Sequence, residues 1–269
     1  MSDVASSTRH LIEVMGTVVT IDLFGDGDPD AAQRAVDRAR DVLCDADRVF
    51  STYKASSPVS RLRRGELSLG ETPPQVADVL DLCQKAKTLT GGWFDPWSLP
   101  GGVDPTGYVK GWAAQGALDE LRGLDVAGAI VNAAGDIASF GGPGPDQVFR
   151  TGIVRPDDPQ RLAAVVELRD AIATSGESER GAHLYNPFTQ HFAGAVASAS
   201  VTGPDLGMCD AFATALSVGG HDVMALIHRV EGYEAMTLDA SGAMRATPGF
   251  PFARDDLSDV RGDHAPAPR

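Results

Sequence analysis

Between residues 126 and 172 the chain breaks into several short apolar runs separated by Gly, Pro and Asp turns. This stretch limits the fold more than any other, because parallel winding needs a crossover segment between each pair of strands. Strands here outnumber the crossovers, so the pattern predicts an α+β fold with a largely antiparallel sheet and packed helices, not a doubly wound one. Residues 10–24 alternate and are rich in Val, Ile and Thr, which reads as a strand. Residues 30–50 carry Ala32, Ala35, Val36, Ala39, Val42, Leu43, Ala46, Val49 and Phe50 at spacings of three and one, an amphipathic helix. A second helix is expected over 74–89, stopped by Gly91-Gly92, and a third from about Lys110 to before Gly123. Residues 208–218 and 221–230 read as helical, followed by a closing hairpin.

No internal repeat or long linker interrupts the chain, so one domain is expected over 10–253, with 1–9 and 254–269 as flexible ends. Lys and Arg number 23 against 37 Asp and Glu, a net charge of −14. No basic stripe gathers, which argues against nucleic acid and anionic membranes as partners. A phosphate ligand would have to be held against the protein's own field by a metal ion, helix N-termini or a well-placed Lys or Arg. Cys44, Cys83 and Cys209 form no C-x-x-C pair, so neither a disulfide framework nor a zinc knuckle is indicated, and three thiols suit a reducing compartment. The opening residues lack a secretory pattern and no run approaches the roughly 18 apolar residues of a membrane span. The expected location is the cytoplasm.

Walker, H-E-x-x-H, EF-hand, G-x-G-x-x-G and G-x-S-x-G patterns are all missing. What stands out instead is polar residues set in apolar or glycine-rich surroundings. Asp210 and Thr214 lie four apart in the apolar stretch 209–220, which puts two oxygens on one helix face. Such a pair suits a hard cation such as Mg²⁺. It equally suits an Asp meeting the helix dipole and a Thr bonding back to its own helix, and spacing alone favours that local reading. In residues 104–112, Asp104, Gly107 and Lys110 fall where a helix should start. They would make either a pyrophosphate cradle or a capped turn with a solvated Lys. Residues 91–97 gather Trp93, Phe94 and Trp97 around Asp95, to stack on a planar ring or, more commonly, to close a core. His183 and His191 bracket a Tyr-Asn-Pro-Phe segment without the spacing of a zinc site.

Taken in order, these segments resemble the ApbE family of FAD:protein FMN transferases. The stretch 14–21 (VMGTVVTI) is similar to the family's M-G-T strand, and 50–53 (FSTY) to its S-x-Y segment. GGWFDPW matches G-x-F-D-P, and DPTGYVKGW matches the D-L-G-G-I-A-K-G loop. AGDIASFGG (134–142), ATSG (173–176), HLYNPFTQ (183–190), SVTGP (200–204) and CDAFATALSVGG (209–220) follow as the G-G-D-I, A-T-S-G, H-x-x-D-P-x-T-G, S-V-T and A-D-A-L-A-T-A segments. Departures are Pro105 and Thr106 for Leu-Gly, Ala134 for a Gly, and Asn186 and Gln190 for Asp and Gly.

The resemblance implies a T-fold-related domain that uses FAD as substrate and Mg²⁺ as cofactor. FMN passes to a Thr or Ser hydroxyl of an acceptor flavoprotein, and AMP is released. It puts the metal on Asp210, Thr214 and the Gly107 carbonyl. FAD falls on Met15, Tyr53, Trp93, Phe94, Asp95, Asp104, Lys110 and Leu184. His183 is the expected base, with Asp104 as alternative. Two rivals stand beside this reading: a Mg²⁺-dependent FAD pyrophosphatase with water as nucleophile, and a non-catalytic FAD-binding protein.

Overall fold

The alternating run at 10–24 folds as two strands, not one. In the computed structural model, which describes residues 6–176, 184–192 and 194–253, β1 (Ser7–Val14) and β2 (Thr17–Phe24) pair antiparallel with Val14 opposite Thr17. Met15 (φ 54°) and Gly16 (φ 70°) make the two-residue turn, both left-handed as a type I′ hairpin requires. Met-Gly lacks the Asn-Gly signature, which is why the break is hidden in the sequence. Residues 7–9, expected in a loose end, begin β1, and Arg9 grips Asp22 across the hairpin at 2.6 and 3.0 Å.

The helix predicted at 30–50 is α1 (Pro29–Phe50), opened by Asp28, whose carboxylate accepts from the Asp30 amide at 3.0 Å. A short helix that the apolar pattern is too brief to announce follows as α2 (Pro58–Arg63), capped by Ser57. Next come α3 (Pro74–Leu89), with the predicted bounds, and α4 (Thr106–Asp119). The latter starts four residues before its expected start, because Asp104 Oδ1 accepts from the Thr106 amide (3.1 Å) and hydroxyl (2.6 Å). The strand-rich stretch yields β3 (Gly128–Ala133), β4 (Asp136–Gly141), β5 (Phe149–Val154), β6 (Leu162–Leu168) and β7 (Ala171–Gly176). After them come β8 (Tyr185–Asn186), β9 (His191–Phe192), β10 (Ser198–Gly203), α5 (Leu206–Gly219), α6 (His221–Ile227), β11 (Glu234–Leu238) and β12 (Met244–Ala246).

Eight strands form one antiparallel sheet in the order β1-β2-β3-β4-β7-β10-β11-β12. Its helix-facing side mixes alanines (Ala129, Ala133, Ala138, Ala171, Ala173, Ala199 and Ala235) with Val19, Ile21, Leu23, Val131 and Val201, all buried with α1, α4 and α5. Helix α5 is itself buried on almost every side. The other side carries Ile137, Ile172, Met236 and Leu238 under the β5–β6 hairpin, in a second, smaller core with Phe149, Val166 and Leu168. The pairing of β4 with β7 spans only Ile137↔Ile172 and Ala138↔Ala171. Beside that short ladder, at the end where Asp136 and Thr174 lie, stand α4 and α5.

Helices α4 and α5 meet at glycine. A Cβ on Gly111 would lie 2.3 Å from the Leu206 carbonyl oxygen and 3.0 Å from Gly207 Cα, and one on Gly207 would lie 2.9 Å from the Tyr108 ring. The crossing is backbone against backbone. It sets everything built on the two helices' facing sides.

Candidate functional site

Two clefts flank the N-terminal turn of α4 and share Thr106 and Lys110. The first, about 130 Å³, is walled by the loop from Asp95 to Asp104, by Gly107, by Thr174 and Ser175 of β7, by Leu184 and Tyr185, and by Asp210 and Thr214 of α5. The second, about 560 Å³, lies between the Met15-Gly16 turn, Ala134 of the β3–β4 turn, and residues 46–54 at the end of α1. Two type I′ turns thus sit side by side at one end of the sheet. In the second of these, Ala134 (φ 53°) and Gly135 (φ 95°) are held by Asn132, whose side-chain oxygen accepts from the Gly135 amide at 2.8 Å.

Every expected site residue within the described chain lines one of these clefts. Trp93, Phe94, Asp95, Asp104, Gly107, Leu184, Asp210 and Thr214 line the first, Met15 and Tyr53 the second, and Lys110 both. The expected base, His183, lies outside the described residues. The aromatic residues do not form one platform. Phe94 is buried in the main core, and Trp93 packs edge-on to Phe188 at 4.7 Å. Tyr53 stands 95% exposed across α4 in the second cleft. The core-closing role of the 91–97 segment is therefore real for Phe94, whose amide is also pinned by the buried Thr90 hydroxyl at 3.1 Å.

Asp95, Asp104 and Asp210 line the first cleft, and several acids at or next to it meet a cation. Asp95 pairs with Lys87 (2.8 Å), Asp104 with Arg63 (2.8 Å), and Asp136 with Lys110 (2.7 Å). The last pair shows that Lys110 is not the solvated cation of the capped-turn reading. Asp136 is wholly buried, and one function of the Lys110 ammonium is to compensate it. Asp104 spends its two oxygens on Arg63 and on the start of α4, which makes it an organiser of the turn before it is anything else. The Cys83 thiol is pushed up to about 12 by burial and by the charges of Asp210 and Asp104. Cys209, fully buried, is pushed up well above the ordinary range, again chiefly by burial. Both stay protonated near neutral pH, so neither serves as a nucleophile.

Asp210 is 5% exposed and stands one helical turn from Thr214. Its Oδ2 accepts from the Gly111 amide at 3.2 Å, an N–H that in a regular helix serves the Gly107 carbonyl. A Cβ on Gly107 would lie 3.4 Å from Thr214 Oγ1 and 3.3 Å from Phe94. Glycine thus keeps open a small space bounded by a carboxylate, a hydroxyl and helix backbone, all hard oxygen donors of the sort Mg²⁺ prefers. Among the described residues, no three His, Cys, Asp or Glu side chains gather to hold a metal. A cation here would therefore draw on hydroxyl, carbonyl and substrate oxygens beside the one carboxylate.

Sequence reasoning passed over Thr174, Ser175, Tyr185 and Leu99 in the first cleft, and Thr17, Asp47 and Lys54 in the second. Thr174 and Ser175 fall inside the A-T-S-G segment, which marked them without saying which way they face. The departures from the family pattern also find explanations. Asn186 Oδ1 accepts from the Phe188 and Thr189 amides at 2.9 and 3.1 Å, a turn-forming task that an Asp performs equally. Gln190 (φ 58°) and Ala134 (φ 53°) are left-handed at the very positions where the pattern has Gly.

Among the described residues no helix is long and apolar enough to cross a membrane. Three structures share the fold over most of the chain. They are the flavin transferase ApbE from Vibrio cholerae (TM-score 0.75, 20% identity, 90% of this chain and 97% of that one), the Pseudomonas stutzeri flavinyl transferase ApbE in its apo form (0.76, 22%, 91% and 95%) and the ApbE protein of Thermotoga maritima (0.78, 19%, 90% and 97%). A curated relative, the FAD:protein FMN transferase of Rhodobacter capsulatus, is 26% identical over 264 residues, covering 90% of this chain. The chain spans only 48% of that protein's length. A family model described as the ApbE family matches residues 15–101 and 98–237, the span that holds both hairpin turns, the 95–104 loop and the α4–α5 crossing. The chain belongs to the ApbE family.

Proposed function

We propose that this protein transfers FMN from FAD to a Thr or Ser hydroxyl of an acceptor protein, with Mg²⁺ bound and AMP released. One observation carries the reading: two clefts joined at Lys110 and Thr106, a layout suited to a dinucleotide whose two ends lie apart and whose pyrophosphate crosses the start of a helix. The name of the Rhodobacter relative and the family membership point the same way. Asp210, Thr214 and the Gly107 carbonyl would hold the metal. When bound, Mg²⁺ supplies positive charge to pyrophosphate oxygens in a protein that is otherwise strongly acidic.

The remaining work falls to the chain. Lys110 would bring its ammonium charge to a phosphate oxygen, and the amides of the first turn of α4 add their partial positive charge. Leu184, Trp93 and Phe94 exclude water from one ring, and Met15 and Tyr53 receive the other. The acceptor oxygen attacks the FMN phosphorus, the bond to the AMP phosphate breaks, and the hydroxyl proton passes to a base. We assign that base to His183 from its place in the H-x-x-N-P segment, next in sequence to Leu184 of the cleft wall. A protein acceptor, not water, is supported by the relative's name alone, so product analysis tests it. Incubation with FAD, Mg²⁺ and acceptor proteins should give flavin-labelled acceptor and AMP. Free FMN with AMP would identify a pyrophosphatase, and unchanged FAD a binding protein. No membrane span or nucleic-acid surface enters the reading, and we place the reaction in the cytoplasm on the reducing character of three unpaired thiols.

A further inference from the structure

One wall of the first cleft is the loop from Asp95 to Asp104. Its ends are closed on each other, the Asp104 amide donating to the Pro96 carbonyl at 2.9 Å. The first end is held by Lys87 of α3 through Asp95. Arg63, the last residue of α2, reaches over the other end. Its Nη1 donates to Asp104 Oδ2 at 2.8 Å, its Nε to the Gly101 carbonyl at 3.2 Å and its Nη2 to the Pro100 carbonyl at 3.4 Å. The loop in turn lies against Arg63. Gly102 is left-handed (φ 100°), and a Cβ there would come within 3.2 Å of the Arg63 carbonyl oxygen. Asp104 passes the constraint on, because its second oxygen accepts from the amide and hydroxyl of Thr106, the first residue of α4, which carries Gly107 and Lys110. Arg63 itself lines neither cleft.

We propose that Arg63 is a positioning residue for the flavin nucleotide: its guanidinium fixes the 95–104 wall and, through Asp104, the phosphate-facing turn of α4. The geometry calls for Arg in particular. A planar fork serves a carboxylate and two carbonyls lying in different directions, whereas a Lys ammonium on a flexible stem meets the carboxylate and leaves the carbonyls unserved. The inference rests on the reading of this cleft as the FAD site.

The test is FAD binding by flavin fluorescence, with steady-state kinetics, on the unsubstituted protein, Arg63→Lys and Arg63→Ala. The Ala variant should raise both the FAD dissociation constant and KM about tenfold or more, the scale of one lost charge-assisted hydrogen bond, with kcat within about threefold. Arg63→Lys should fall between, and it carries the measurement should the Ala variant fail to fold. Unchanged FAD affinity in both variants overturns the assignment. So does a fall in kcat at unchanged affinity, which would mark a contact made only in the transition state. Failure of the unsubstituted protein to bind FAD overturns the cleft reading first, and the role of Arg63 with it.

Discussion

Replacing Gly111 with Ala should damage the site and the fold together, and the size of the effect can be worked out from the crossing of α4 and α5. The added Cβ would lie 2.3 Å from the Leu206 carbonyl oxygen, 2.7 Å from its carbon and 3.0 Å from Gly207 Cα. All three are backbone atoms, so no rotamer change relieves the overlap. The helices must separate by about 1 Å, at an overpacking cost of roughly 1–3 kcal/mol. Separation also stretches the 3.2 Å bond from the Gly111 amide to Asp210, and a hydrogen bond to a charged group is worth about 1.5–3 kcal/mol. Against this, Ala gains up to about 1 kcal/mol of helix propensity over Gly. The net loss is about 1.5–5 kcal/mol, or roughly 3–20 °C in Tm for a chain of this size. Because Asp210 and Gly107 stand on opposite sides of the moved contact, a 1 Å shift should also lower turnover about a hundredfold. Thermal melts and FAD turnover on Gly111→Ala decide it, with Gly116→Ala as control. In the control the new Cβ meets only a Val42 methyl at 3.2 Å, and little should change. A Gly111→Ala protein as stable and active as the unsubstituted one would refute the argument.

Lys110→Ala should cost about 3–5 kcal/mol of stability by removing the cation beside the buried Asp136 carboxylate, and adding Asp136→Asn should recover most of it; an unchanged urea midpoint for the single variant contradicts this. Ala134→Gly and Gln190→Gly relieve left-handed non-glycine backbone and should each raise stability by about 0.5–1 kcal/mol in urea titrations, and a lowered midpoint would show that the side chains matter more than the backbone. Cys83 has its folded pKa raised from 9.0 to about 12, so the unfolded state releases its proton first as pH rises. Its contribution is complete below pH 9 and drains away toward pH 12, and melts across that window should show falling Tm that Cys83→Ala partly flattens.

The fold class was legible because turn-punctuated strands without crossovers leave few arrangements, and the helices because their apolar periods are long. What escaped was short or backbone-driven. The Met15-Gly16 turn lies inside an unbroken β-rich run, and α2 is too brief to show a period. The early start of α4 goes with an Asp104 side chain that binds the Thr106 amide and hydroxyl, not with apolar spacing. At the site, ordered motifs located the cleft-lining residues individually, yet spacing alone favoured the local reading of Asp210 and Thr214. Only tertiary contact brings Gly107 and Gly111 beside that pair. The Lys110–Asp136 pair joins residues 26 apart on different elements, and no local pattern announces it.

The central claim is that Asp210 and Thr214 serve a metal-dependent attack on FAD. The direct test is the rate of AMP release from FAD, with acceptor present, as Mg²⁺ is titrated into the EDTA-treated protein and its Asp210→Asn variant. The Asn amide oxygen can still accept from the Gly111 amide, so the variant should keep its fold, as far-UV circular dichroism would show. The account predicts a saturable, EDTA-reversible rate for the unsubstituted protein and a loss of about a hundredfold or more for the folded variant. AMP release that ignores EDTA, or that Asp210→Asn leaves intact, would contradict it.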